Sequence, residues 1–259
     1  MAKLSRRDLL KLLAWGTVGT ALSSCIPKGL RPDVSPTAGE MPMPSTGTTP
    51  TAALLRNENR PGFFIRYYKP FPPVAPEQWR LSVEGMVQNA TQMRLSEIQA
   101  LPYVSQASRM KCVEGWSAAA KWGGFRPKSL IDLVTPDPKA TWLHFYSADD
   151  YYESLSLGDF LKERVLFVYD MNDAPLLPEY GAPLRLIVPD KYGYKGPKAI
   201  IRVVFADQEL RGYWPSVGPY TKGGEIQPGR DRALDLGVTR NIQEGGEIMY
   251  EDGLESEGN

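Results

Sequence analysis

The apolar residues of this chain arrive in short bursts, and the bursts are β-branched and aromatic. WRLSVEGMV (79–87), TWLHFYSA (141–148), VLFVYDM (165–171), LRLIVP (184–189) and AIIRVVFA (199–206) each have the length and composition of a strand. The segments with helical character are brief: SEIQALP (96–102) with Ser96 as N-cap, RPKSLIDLV (126–134) and LGDFLKER (157–164). Long helices do not alternate with the strands, and no GxGxxG opens a helix after a strand. The fold class expected is therefore α+β, β-rich with short helices, and a doubly wound nucleotide-binding sheet is excluded. The globular body runs over residues 54–253, one domain of a size that can bury a substantial core. No internal repeat occurs, and residues 254–259 form a short acidic tail.

The N-terminus has a different character. SRRDLLK (5–11) is followed by the apolar run LLAWGTVGTAL (12–22) and then by LSSC (22–25). A basic start, a short apolar stretch and small residues before a cleavage point describe an export signal over residues 1–24. The apolar run is about half the ~20 residues a bilayer span requires. The paired arginines resemble a twin-arginine signal, which exports folded proteins. LSSC resembles a lipobox, which makes Cys25 the lipidation site of an exported, periplasmic or cell-surface protein tethered to the membrane rather than spanning it. The competing reading is an ordinary cleaved signal with an incidental cysteine. Residues 25–53, including PTAGEMPMPSTGTTPTA, are too poor in bulky apolar groups to order themselves and read as a disordered tether. Met41 and Met43 within it are incidental rather than a metal tract. Without residues 1–24 the chain holds 26 basic and 29 acidic side chains, a net charge near −3. That balance excludes a nucleic-acid binder.

The second of the two cysteines, Cys112, sits in RMKCVEGWSAAAKWGG (109–124). With Cys25 acylated it has no intramolecular partner. An intermolecular bond, a reactive thiol, a metal ligand and simple burial all remain open. Zinc is poorly supported, because His144 is the only histidine and no CxxC or HxxxH spacing exists. A Cys112–His144 nucleophilic pair is conceivable, but His144 lies in the strand-like TWLHFYSA, where a structural role is the commoner one.

Cys112 with VEGWS, then Trp122-Gly-Gly-Phe and SLIDLV, resembles the molybdenum-pterin domain of the sulfite oxidase superfamily. FFIRYYKPFPP (63–73), WRLSVEGMV with LSEIQALP, FYSADDYYESLSL, YDMNDAPLLPEYGAPLRLIVPDKYGYKGPKAI and GYWPSVGPY continue the similarity in order over about 63–220. The nearest group is the bacterial periplasmic protein-methionine-sulfoxide reductase catalytic subunit. The resemblance implies a sulfite-oxidase-type molybdopterin-binding fold with Cys112 as metal ligand and catalytic residue. A single thiolate suffices for a soft, high-valent metal that also carries a pterin dithiolene. It further implies cofactor contacts at Arg66, Tyr67, Tyr68, Ser147, Tyr180, Arg185, Gly196, Pro197 and Lys198, residue types that hold phosphate and pterin edges. The chain departs from the family's pattern at Tyr180, where relatives often have Asn or His, and at Arg66-Tyr67-Tyr68, where Asn-containing text is usual. Lys111, Trp116, Lys121 and Tyr152 are expected at the substrate mouth.

The activity implied is two-electron oxygen-atom transfer by Mo-molybdopterin, reducing small-molecule or protein sulfoxides such as oxidised methionine. Sulfite oxidation with electrons passed to a cytochrome is one alternative, and a metal-free lipoprotein binding module is another. No CxxCH haem motif is present, so the electron partner is a separate membrane haem protein or soluble cytochrome. The twin-arginine signal agrees with a cofactor inserted before export. The chain ends soon after GYWPSVGPY, which implies a monomer.

Overall fold

The strand-like runs assemble into two sheets in the computed structural model, which describes residues 63–66, 68–69 and 74–250. The signal, Cys25, the tether, Tyr67 and the acidic tail lie outside those residues. The first sheet has the order β2 (Thr91–Arg94), β1 (Arg80–Gly85), β10 (Ile200–Ala206), β5 (Trp142–Ser147), β6 (Tyr152–Ser156). Only β1 and β10 pair in parallel; the rest is antiparallel. The second sheet, of seven strands, is built around β4 (Trp116–Phe125). Along one edge β4 carries β3 (Tyr103–Lys111) in continuous antiparallel register, from Tyr103 opposite Phe125 to Lys111 opposite Ser117. It also pairs β11 (Gly229–Ala233) at its start and β7 (Leu166–Met171) at its end. β12 (Val238–Ile242) extends β11, while β8 (Ala174–Pro175) and β9 (Arg185–Ile187) both pair β7.

Period-2 alternation decides which core each side chain joins. On β7, Phe167 and Tyr169 enter a large cluster with Leu81, Val83, Leu143, Phe145, Val203 and Phe205. Leu166 and Val168 point the other way, into a second cluster with Phe63, Trp116, Ala118, Trp122 and Ile187. Both faces of this strand are buried, which explains the unbroken apolar run VLFVYDM. β4 serves both cores by the same alternation, Ala118, Ala120 and Trp122 entering the second and Phe125 the first, and its pairing with β7 shifts register between Gly123 and Gly124. A Cβ at Gly124 would lie 1.8 Å from the Phe167 carbonyl oxygen, so only glycine admits this close pairing.

The structure adds strands that the β-branched pattern did not disclose: β2, β3, β4, β6, β8, β11 and β12. β3 and β4 read YVSQASRMK and WSAAAKWGGF. Alanine, serine and glycine give no strand signal, yet small side chains are what a sheet buried against neighbours on both faces can hold. Helix boundaries also shift. α1 (Leu95–Gln99) is capped at Arg94, whose backbone N–H donates to the Glu97 carboxylate at 2.6 Å, so Ser96 lies inside the helix rather than at its cap. α2 (Pro127–Val134) begins with proline at its first turn, where the missing N–H costs nothing. α3 (Leu157–Phe160) is a single turn capped by Ser156, and α4 (Tyr213–Val217) follows Gly212.

Candidate cofactor site

Cys112 stands at the turn between β3 and β4. Its N–H donates to the Trp116 carbonyl at 2.9 Å, and the Gly115 N–H returns to the Cys112 carbonyl at 3.2 Å. Gly115 closes this turn at φ +89°, a conformation that glycine adopts without strain. The thiol lies 3.7 Å from Glu114 Oε2. The same carboxylate accepts Arg66 Nε at 2.9 Å, Arg66 Nη2 at 2.7 Å and Trp116 Nε1 at 3.0 Å. Burial pushes the thiol up to about 12, and the neighbouring carboxylate reinforces this against the opposing charge of Arg66. Burial would raise the Glu114 carboxyl too, but donation from Arg66, Trp116 and Cys112 holds it below the usual value. Without a metal the sulfur keeps its proton; a thiophilic metal ion displaces it.

A second group of basic residues comes from β9 and the segment after it. Arg185 is buried, with Nη1 donating to the Tyr180 carbonyl at 2.8 Å and Nη2 lying 3.5 Å from Met110 Sδ. Its guanidinium lies 5.3 Å from the Trp122 ring centroid. Burial lowers its pKa to about 10. Lys198 Nζ donates to the carbonyl oxygens of Arg66 at 2.6 Å and Glu179 at 3.4 Å. Burial brings Lys198 down to about 7, and the charge of Arg185 pushes in the same direction. Arg66 is thus shared: its side chain meets the thiol's carboxylate, and its carbonyl meets Lys198.

Ser147 enters from the end of β5, where Ala148 N–H donates to the Ala199 carbonyl at 2.9 Å, next to Lys198. Gly196 lines a small pocket with Met110, Arg185 and Gly193. The Pro197 carbonyl accepts Leu186 N–H at 3.0 Å, which ties this segment to β9. The Tyr180 ring packs edge-on against Phe63 at 6.2 Å. Tyr68 instead joins a group of rings, 4.2 Å from Tyr213 and 6.2 Å from Tyr151.

Three buried polar atoms in this region have no protein partner: Arg66 Nη1, Arg185 Nε and Ser147 Oγ. Leaving such an atom unpaired costs about 1–3 kcal/mol. All three can donate, and two carry positive charge, so an anionic, oxygen-rich ligand matches them. Among the described residues no three His, Cys, Asp or Glu side chains converge on a metal position. A metal at Cys112 therefore has to arrive with most of its ligands, as one bound to a pterin does. The residues present fit a phosphate-bearing pterin whose metal takes one protein sulfur.

Several expected positions are corrected. Lys111 does not face the mouth; it is buried and ion-paired with Asp231 at 2.8 Å. Lys121 lies on the opposite face of β4 from Trp116 and Trp122, paired with Asp173 at 2.7 Å. β-strand alternation turns both lysines away from the cysteine's side. Tyr152 sits 6.1 Å from the Tyr213 ring, in the aromatic group. His144 belongs to the other sheet, its Nε2 lying 2.8 Å from the Gln208 carbonyl, and it forms no pair with Cys112. Glu114 and Met110 went unread in the sequence. Glu114 follows the cysteine by two residues within CVEGW, the spacing that lets its carboxylate fold back onto the thiol.

The family model described as oxidoreductase molybdopterin binding domain matches residues 68–214. A putative protein-methionine-sulfoxide reductase subunit from Azospira oryzae is 36% identical over 167 residues, 64% of this chain and 64% of its own. A protein-methionine-sulfoxide reductase catalytic subunit from Ralstonia nicotianae is 32% identical over 57% of this chain and 50% of its own. The chain thus spans between half and two thirds of these relatives' length. The crystal structure of the sulfane dehydrogenase SoxCD from Paracoccus pantotrophus shares the fold at a TM-score of 0.58 and 15% identity, covering 78% of this chain and 56% of that one. With the matched segment covering more than half of its residues, the chain belongs to the oxidoreductase molybdopterin-binding domain family of the sulfite oxidase superfamily.

Proposed function

We propose that this chain is the catalytic unit of a molybdenum-cofactor oxidoreductase that reduces sulfoxides, including oxidised methionine in proteins. Arg66, Ser147, Arg185 and Lys198 would hold the pterin and its phosphate, with Gly196 letting the backbone come close, and Cys112 would supply the protein's sulfur to the metal. The cofactor, when bound, supplies a metal that exchanges an oxygen atom in two-electron steps. Glu114 and Arg66 orient the thiol from one side and Trp116 packs beside them. Electrons come from a separate haem protein. Export and a lipid tether at Cys25 rest on the N-terminal sequence and complete the proposal.

One observation carries the choice of sulfoxide over sulfite: among the described residues, the cations near Cys112 in sequence or space are turned away from it or assigned to the cofactor. Lys111 and Lys121 face the other side, paired with Asp231 and Asp173, and Arg66 binds Glu114 while its open Nη1 is assigned to the cofactor. A sulfite dianion requires a concentrated positive pocket, whereas a neutral sulfoxide does not. The nearby surface is aromatic and apolar instead. Tyr220 is held above its ordinary pKa by burial and by the charges of Glu114 and Cys112, and its ring meets Trp214 at 5.5 Å and Tyr194 at 5.6 Å. Val113 and Phe64, at the cysteine loop, are exposed.

The test is a substrate panel on the cofactor-loaded chain, with molybdenum assayed beside it. Expected are equimolar molybdenum, turnover of methionine sulfoxides with a reduced dye, and none of sulfite with cytochrome. Sulfite turnover without sulfoxide turnover would overturn the direction. Metal-free protein from a host competent in cofactor synthesis and export would favour the binding-module reading instead.

A further inference from the structure

Arg109 and Lys111 stand two residues apart on β3, on the face opposite Met110 and Cys112. Both are buried, and both find their carboxylates far along the chain. Arg109 makes a two-point contact with Asp235, at 2.6 and 2.9 Å. Lys111 Nζ donates to Asp231 at 2.8 Å and to the Arg230 carbonyl at 3.3 Å. Asp231 is fully buried on β11 and accepts two further donors, Ser117 Oγ at 2.6 Å and the Tyr250 hydroxyl. The Tyr250 ring lies near two guanidinium groups, 4.6 Å from that of Arg109 and 5.6 Å from that of Arg240.

Backbone bonds converge on the same place. Arg232 N–H donates to the Gly115 carbonyl at 2.9 Å, and Leu234 N–H to the Ser117 carbonyl at 2.8 Å. The cysteine loop is therefore gripped on both sides of Cys112. Lys111 is held before it, and Gly115 with Ser117 after it, by one strand that lies beyond the 68–214 segment shared with the family. A carboxylate taking three donors in a dry interior has little freedom to move, and neither has the residue bonded to it.

We propose that Asp231 is a positioning residue for the metal-binding thiol: through Lys111, Ser117 and Tyr250, the segment 229–250 clamps the turn that carries Cys112 and fixes the direction of its sulfur. Asp235 is the internal control. It compensates Arg109, which reaches the clamp only through a 3.4 Å contact to Ser117 Oγ and the face of Tyr250, whereas Asp231 bonds Lys111, Ser117 and Tyr250 directly. A purely structural network would respond alike to losing either acid, while a clamp on the cysteine responds to Asp231.

The proposal rests on Cys112 being the thiol of the site, and its test reads that thiol whether or not the sulfoxide reading holds. The full-length chain is produced in a host without pterin synthesis. The rate of Cys112 alkylation by iodoacetamide is then followed by peptide mass spectrometry in folded wild type, Asp231→Asn, Asp235→Asn and Tyr250→Phe. Reaction of a protected thiol tracks the population of the opened loop, so Asp231→Asn should react about tenfold faster, Tyr250→Phe about threefold faster and Asp235→Asn less than about twofold faster. Equal acceleration in the two acid variants, or none in a folded Asp231→Asn, would overturn the proposal. Should Asp231→Asn lose its cooperative melting transition, Tyr250→Phe decides, and a rate no faster than that of Asp235→Asn would overturn it.

Discussion

On one face of the β3–β4 ladder, Lys111 and Arg109 each meet a carboxylate, and the serine and tyrosine around them are bonded too. On the other, Arg185 and Lys198 rest on carbonyl oxygens, and Arg66 Nη1, Arg185 Nε and Ser147 Oγ have no protein partner. The first face draws on β3, β4 and β11, the second on β5, β9 and the segments carrying Arg66 and Lys198, and both bury most of their charge, with Arg66 partly exposed. They differ in whether the chain completes its own polar groups. Where it does, the groups hold the fold; where it leaves them open, they are shaped for a ligand. Basic residues near Cys112 therefore divide by face rather than by sequence distance.

The comparison is tested first where the expected effect is largest. Cys112→Ser should lower molybdenum content about a hundredfold, by metal analysis of purified protein, because a neutral hydroxyl is a poor ligand for a thiophilic metal. Retained metal would remove Cys112 from its role. Next come the buried cations. Lys111→Met should cost about 3–5 kcal/mol in denaturant unfolding, since it strips the cation from a buried carboxylate. Arg185→Met, on the open face, should change the stability of the cofactor-free chain by less than about 1 kcal/mol while cofactor retention falls about tenfold. Equal stability losses for the two would erase the distinction between the faces.

A gentler test uses pH. Lys198 binds its proton near 7 when folded and near 10.5 when unfolded, so between those values the unfolded chain holds more protons. Stability of the cofactor-free chain should therefore rise from pH 7 to 9, by up to about 2 kcal/mol. Above 9 the rise should level off, because Cys112, raised from 9.0 to about 12, keeps its proton in the folded state and opposes the trend. Thermal melts across this range check the shape, and Lys198→Met should flatten it. The smallest effect is expected for Ser147→Ala, which removes an unpartnered buried hydroxyl. The cofactor-free chain should gain about 1 kcal/mol in denaturant unfolding, against a measurable loss of cofactor retention.

The five apolar runs became β1, β5, β7, β9 and β10 because β-branched and aromatic side chains declare a pleated, buried strand locally. The central hairpin was harder to read. YVSQASRMK and WSAAAKWGGF pack through small residues, and Arg109 with Lys111 interrupts any apolar alternation, so their strand character exists only against their neighbours. The site divides likewise. Cys112, Arg185 and Lys198 are recognisable by residue type and order, and the structure brings Cys112 and Lys198 together through Arg66. Glu114 escaped notice because a glutamate beside a cysteine is unremarkable until its carboxylate is seen to fold back.

The sequence by itself determined the β-rich class and the family, and singled out Cys112 as the thiol proposed for the metal, since these depend on composition, order and chemical type. Tertiary structure alone decided that Lys111 turns inward to a carboxylate 120 residues away, that Lys121 faces the far side, and that Arg66 links the thiol to Lys198. Local periodicity can say that a side chain alternates, but not what waits on either face. That is settled only when distant strands dock and the dry interior requires each charge to find its partner or its ligand.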